Sequence, residues 1–277
     1  MKAMAFKGLN EEVAEIVAFK GLNEEVAEIV AFKGLNEEVA EIVAFKGLNE
    51  EVAEIVEKKF KNKNIKILVL GAGEGYLENI LLRKGFKDIT SVDYFTDFKL
   101  KDKCKFIKLD LNLENFAEII KKQSHKEYDV IVAVEVIEHL FNPFNFLKNI
   151  RELLSDKGIA IITTPNVHSS LSRIYTLIFG YPFTFKSDLQ IGDHISPILH
   201  NAFKLYLNIL NLNLVEVKYY GSFFYYIKNY PIYSFKSYLY KLILLVSCII
   251  LSSLTIIYKH KPSDKNITIY IVSKTQD

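Results

Sequence analysis

The chain has 277 residues, is 50% hydrophobic with 20 Phe and 16 Tyr but no Trp, and carries a net charge of only +2. That length suits one large domain with additions, and so small a charge excludes a broad basic field for holding nucleic acid. Two cysteines, Cys104 and Cys248, exclude a disulfide framework, and an N-terminus that turns acidic too early for a secretory signal implies the reducing cytoplasm.

The chain opens with "AFKGLNEEVAEIV" four times without a difference, at 5–17, 18–30, 31–43 and 44–56. Surface positions tolerate change, so such identity points to recent duplication. Each unit carries helix signals. Asn10 is placed to cap, Glu11 and Glu12 suit the positive first turn, and Val13, Ile16 and Val17 make an apolar stripe. Gly21 fits the stop that follows. The units predict short helices broken at each glycine, forming a leader over residues 1–56.

From residue 65 strand-like and helix-like patterns alternate. Strands are expected at 65–71, 89–94, 105–111, 128–134 and 158–166, with helices at 76–85, 113–123 and 144–155. A helix at 201–213 and strands at 214–221 and 266–274 follow. Apolar strands separated by amphipathic helices predict an α/β, doubly wound, mostly parallel sheet covered on both faces. Ligands bind such sheets beyond the carboxyl ends of the strands.

Several polar residues fall at those ends. The first turn, "GAGEG", holds Gly71, Gly73 and Gly75. Its G-x-G-x-G spacing lacks the sixth-position glycine of a dinucleotide fingerprint and suits a nucleoside without a pyrophosphate. Asp93 ends the second strand, where a carboxylate can accept from both ribose hydroxyls. Asp110 ends the third, within reach of an adenine amino group. Each aspartate alone is equally readable as a cap or a solvated loop residue.

These segments, with "YDVIVAVEVIEHLFNP" and "GIAIITTPN", resemble the class I S-adenosylmethionine-dependent methyltransferases, of the ubiquinone-biosynthesis O-methyltransferase type. The resemblance covers residues 57–221 and the last strand. It implies a seven-stranded sheet with an antiparallel last strand. It also implies that Gly71, Gly73 and Gly75 approach the methionine part of the cofactor, that Asp93 holds its ribose, and that Asp110 contacts its adenine. Many members carry an acid two residues before the first glycine. Here Val69 stands there, and Glu135 is the expected substitute toward the cofactor's amino group.

"EVIEH" places Glu135, Glu138 and His139 at i, i+3 and i+4, one face of any helix that starts there. Methyl transfer to a hydroxyl benefits from removal of its proton, by a base such as His139 or by a divalent cation. His139 and Glu135 are therefore the candidate catalytic residues. The resemblance implies a divalent cation, such as Mg, at Glu135, Glu138, His139 and His194. The alternative is that Glu135 touches the cofactor, Glu138 caps a helix and the histidines pack locally.

Residues 167–200 are the variable material expected to cover the substrate, with Arg173, Tyr175 and His194 as candidates for facing it. Leu242–Tyr258 are 17 uncharged residues between basic flanks. As a helix they span about 25 Å, the lower limit for a bilayer crossing. A single crossing would separate two strands of one sheet, so the insertion 222–265 is expected to re-enter or to lie at a membrane surface, or else to pack on protein.

The domain organisation expected is thus a leader (1–56), a methyltransferase domain (57–221 and 266–277) and an apolar insertion (222–265). The expected activity is O-methylation of a hydroxyl on a hydrophobic or lipid-linked small molecule by a cytoplasmic, membrane-associated enzyme. A small-RNA 2′-O-methyltransferase and a non-catalytic cofactor-binding scaffold are the alternatives. The sequence leaves the acceptor and the oligomeric state open.

Overall fold

The computed structural model describes residues 47–94, 97–185, 193–221 and 265–275, together with Val246. The first three repeat copies and, Val246 and Lys265 apart, the apolar insertion lie outside the described residues. Among the described residues no helix is long and apolar enough to cross a membrane.

The described chain begins with α1 (Leu48–Lys59), built largely from the fourth repeat copy. Asn49, the counterpart of Asn10, does not cap it. Gly47 precedes the helix in the left-handed region, at φ 83°, and Asn49 sits in the first turn. The reason is the apolar face. Starting at Leu48 puts Leu48, Val52, Ile55 and Val56 on one stripe, all buried. Each such side chain contributes about 1.5–3 kcal/mol. The expected boundary at residue 56 therefore falls inside a helix that is part of the core.

The sheet follows from runs that are apolar on both faces. Its strands are β1 (Lys66–Leu70), β2 (Asp88–Asp93), β3 (Lys105–Lys108), β4 (Tyr128–Ala133), β5 (Leu154–Pro165), β6 (Leu212–Tyr220) and β7 (Ile267–Lys274). Their order is β3-β2-β1-β4-β5-β7-β6. β7 runs antiparallel to both β5 and β6, and the remaining neighbours are parallel. The predicted seven-stranded, mostly parallel sheet with an antiparallel last strand is observed.

Five further helices are described: α2 (Tyr76–Arg83), α3 (Phe116–Gln123), α4 (Pro143–Leu153), α5 (Ser170–Phe179) and α6 (His200–Ile209). Leu68, Leu70, Ile131 and Ala133 face one core with α3, α4 and α6 residues such as Phe116, Phe146 and Phe203. Ile67, Val69, Val130 and Val132 face the other with α1 and α2. The two-residue alternation of a strand divides each apolar run between two cores.

One charge is enclosed by this packing. Glu78 on α2 is 0% exposed and accepts from Ser91 Oγ at 2.8 Å. Its Oε2 has no hydrogen-bond partner. Burial pushes its carboxyl up to about 7, helped by the nearby Asp93 charge. The folded protein thus holds this proton more tightly than the unfolded chain. The resulting stability is full below the ordinary value of 4.5 and is lost as pH rises toward 7, by on the order of 3 kcal/mol. Glu78→Gln is expected to flatten the fall in stability between about pH 5 and pH 8. Urea unfolding across that range measures it.

Candidate active site

The carboxyl ends of β1, β2 and β4 meet at the glycine turn. Gly71 and Ala72 N–H groups both donate to the Val92 carbonyl, at 2.9 and 3.1 Å, which folds the turn over β2. Gly73 N–H then donates to Asp93 Oδ2 at 2.8 Å. The turn needs glycine. Gly71, Gly73 and Gly75 have φ of 75°, 54° and 100°, in the region side chains avoid. A Cβ on Gly71 would meet Val136 Cγ2 at 2.3 Å, whereas one on Gly73 would enter open space. The turn is thus packed against the "EVIEH" segment on one side and open on the other. This open cradle with a carboxylate at its lip fits the nucleoside that the spacing suits.

Asp110 stands two residues past β3. The Leu109 N–H donates to the Asp93 carbonyl at 2.9 Å, so the two aspartates do lie at neighbouring strand ends. Asp110 Oδ1 accepts from the Asn112 backbone and side-chain N–H groups, at 2.9 and 3.2 Å. That oxygen serves a local turn, the alternative role weighed for this residue.

"EVIEH" does not form the α-helical face expected of it. Glu135 has φ 52°, and only Ile137–His139 form a short 3-10 turn. The cause is Thr163 on β5. Its Oγ1 accepts from the Glu135 N–H at 2.9 Å and donates to Glu135 Oε1 at 2.7 Å, a two-bond clamp that holds Glu135 in its unusual conformation. Glu135 is absent from the ligand cluster found among the described residues, although it stays beside Glu138.

The structure instead brings together Glu138, His139 and His194, whose potential ligand atoms all lie within 4.8 Å of one another. The imidazoles meet edge-to-face with centroids 4.6 Å apart. His139 Nδ1 lies 3.2 Å from the Asp193 carbonyl. A carbonyl only accepts, so Nδ1 carries the proton and Nε2 the lone pair. His194 Nδ1 lies 3.2 Å from Thr184 Oγ1, and Thr184 has φ 74°, a strained value for a β-branched residue. Glu138 does not cap a helix. It is 0% exposed, and neither carboxylate oxygen has a well-formed hydrogen bond, although Glu135 and Thr164 stand beside it. Burial first, and the neighbouring Glu135 second, hold the Glu138 carboxyl well above its usual range.

The three substrate-facing candidates separate. His194 belongs to this cluster. Tyr175 packs edge-to-face on Phe183, with centroids 5.0 Å apart. Arg173 lines a cavity of about 410 Å³ between α6, the carboxyl ends of β5 and β6 and the amino end of β7. That cavity also holds His168 and His200, residues the sequence reading did not select.

Sheet order, glycine turn and strand-end carboxylate together define a Rossmann-like methyltransferase fold. Two solved S-adenosylmethionine-dependent methyltransferases share it. One, from Archaeoglobus fulgidus, has a TM-score of 0.54 at 19% identity, covering 83% of this chain and 96% of that one. The other, from Clostridium acetobutylicum ATCC 824, has a TM-score of 0.52 at 14% identity, covering 86% and 98%. The family model described as a methyltransferase domain matches residues 41–217, and the chain belongs to that family. It is 31% identical over 114 residues to a ubiquinone biosynthesis O-methyltransferase of Rickettsia bellii (strain OSU 85-389), covering 37% of this chain and 43% of that protein. A protein of the same name from Pelagibacter ubique (strain HTCC1062) is 31% identical over 135 residues, covering 48% and 54%. The chain spans about half the length of the curated relatives it matches.

Proposed function

We propose that the protein transfers a methyl group from S-adenosylmethionine to a hydroxyl oxygen of a hydrophobic or lipid-linked acceptor. The observation that carries this is the glycine turn closed onto Asp93 in a chain of the methyltransferase-domain family. The cofactor, when bound, supplies an electrophilic methyl on a sulfonium. The protein's work is to hold the acceptor in line and to remove its proton.

His139 suits the second task. Its Nδ1–H is anchored on Asp193, leaving Nε2 as the basic nitrogen. Glu138 supplies a buried carboxyl beside it. Glu138, His139 and His194 also fit a divalent cation, because a buried carboxylate without a well-formed hydrogen bond stands with two imidazoles oriented through their Nδ1 atoms. Two nitrogen donors and one oxygen favour Mn, Fe, Co or Zn over Mg. Such an ion, when bound, would lower the pKa of an acceptor hydroxyl.

The hydrophobic acceptor is supported by where the insertion leaves the sheet. Asn266 N–H donates to the Tyr220 carbonyl at 3.2 Å, so residues 222–265 depart from and return to the same carboxyl edge that carries the site. Their apolar composition supports a hydrophobic acceptor. Membrane association through this insertion is part of the proposal.

Incubation with methyl-labelled S-adenosylmethionine and either a lipid extract or an RNA extract tests the reading. Label is expected in an organic-soluble product and to fall on treatment with a strong chelator. Label in RNA alone, or in neither extract, contradicts it.

A further inference from the structure

The cavity beside α6 has a chemistry the proposed reaction does not use. Arg173, on α5, makes no side-chain hydrogen bond or ion pair among the described residues. His168 and His200 approach from the loop after β5 and from the start of α6, and Tyr219 closes the β6 side. Among the described residues, none that lines it is acidic. The arrangement is fixed rather than incidental. Asn166 Oδ1 accepts from the His168 N–H at 3.0 Å, while its Nδ2 donates to the Lys265 carbonyl at 2.9 Å. The His200 N–H donates to His168 Nε2 at 3.4 Å, and His200 Nδ1 lies 3.4 Å from the Tyr270 hydroxyl.

A cavity whose described lining carries a guanidinium and two imidazoles but no carboxylate is complementary to an anion. The imidazoles report the same imbalance. Burial lowers both, and positive neighbours lower them further: Arg173 for His168, Lys204 and then His168 for His200. The donors converge from three elements rather than in one plane. That suits the several oxygens of a tetrahedral phosphate better than a flat carboxylate.

We propose that this cavity binds a phosphate monoester group carried by the hydrophobic acceptor, with Arg173 and His200 as its main contacts. The anion site stands on the cavity alone. Its assignment to the acceptor rests on the methyl-transfer reading. The cavity lies at the carboxyl edge, where residues 195 and 196 bond the Glu138 carbonyl shortly before His200. A phosphate held there would anchor an acceptor whose hydroxyl reaches the Glu138–His139 site.

The test is calorimetric titration of the full chain with decyl phosphate below its micelle concentration, with decanol and with inorganic phosphate. S-adenosylhomocysteine is titrated in parallel. Decyl phosphate is expected to bind saturably, and Arg173→Gln to weaken it by about tenfold or more, as loss of a charged hydrogen bond implies. His200→Asn is expected to weaken it in the same direction, with S-adenosylhomocysteine binding unchanged in both variants. Equal decyl phosphate affinity in the wild type and both variants, or decanol binding as tightly, overturns the proposal. Inorganic phosphate binding as tightly as decyl phosphate removes the acceptor from it and leaves a free-phosphate site. Decyl phosphate binding without S-adenosylhomocysteine binding would instead sink the methyl-transfer reading and leave the anion site standing.

Discussion

Replacing Asp93 with alanine is expected to weaken S-adenosylmethionine binding by about two orders of magnitude or more, from the loss of two charge-assisted hydrogen bonds at roughly 1.5–3 kcal/mol each. The carboxylate sits at the carboxyl end of β2 and is 8% exposed. It holds the Gly73 N–H at 2.8 Å. In the proposed complex it also receives the ribose hydroxyls. Alanine removes both the ligand contact and the acceptor that shapes the turn. Equilibrium dialysis with labelled cofactor measures the loss, and thermal unfolding separates it from misfolding. Asp93→Asn keeps an oxygen for Gly73 but not the charge, and is expected to fall between the two. An alanine variant that binds as the wild type does would remove Asp93 from the site.

The second large effect concerns Glu138, where activity and stability are expected to move in opposite directions. A buried carboxyl without a well-formed hydrogen bond is costly, by about 1–3 kcal/mol. Such a group persists where function requires it. Glu138→Gln keeps the shape and removes the ionisable carboxyl. Methyl transfer is expected to fall about 10²–10³-fold, in the range ascribed to acid–base groups. Cofactor affinity stays constant and the unfolding temperature rises. His139→Ala is expected to lose transfer to a similar degree without the gain in stability. A Glu138→Gln variant that is less stable and fully active would assign the residue to the scaffold.

The central strands β1 and β4 were legible because each is a largely apolar run, mostly buried, between turn or charged breaks. "KILVL" and "YDVIVA" are of this kind: the first is one residue shorter than expected at each end, the second one residue shorter at its carboxyl end alone. The glycine turn and Asp93 were legible for a related reason. Their roles depend on backbone freedom and on position at a strand end, which are local properties. What was not legible depends on partners distant in sequence. Glu135 fits a helix by spacing, and only Thr163, 28 residues away, holds it in a left-handed conformation. Asn49 fits a cap by type, but burial of Leu48 moved the helix start ahead of it. His168 and His200 carry no signal in sequence, since nothing local marks two histidines 32 residues apart as walls of one cavity. His194 was the exception, found through family resemblance rather than local pattern.

The carboxyl edge of this sheet as an adenosyl-sulfonium site is the claim on which the proposed reaction depends. Calorimetric titration of the unaltered chain with S-adenosylhomocysteine tests it most directly. The predicted result is saturable binding at one site per chain, abolished by Asp93→Ala. A folded chain that gives no binding heat, and from which the nucleoside dialyses freely, would contradict it.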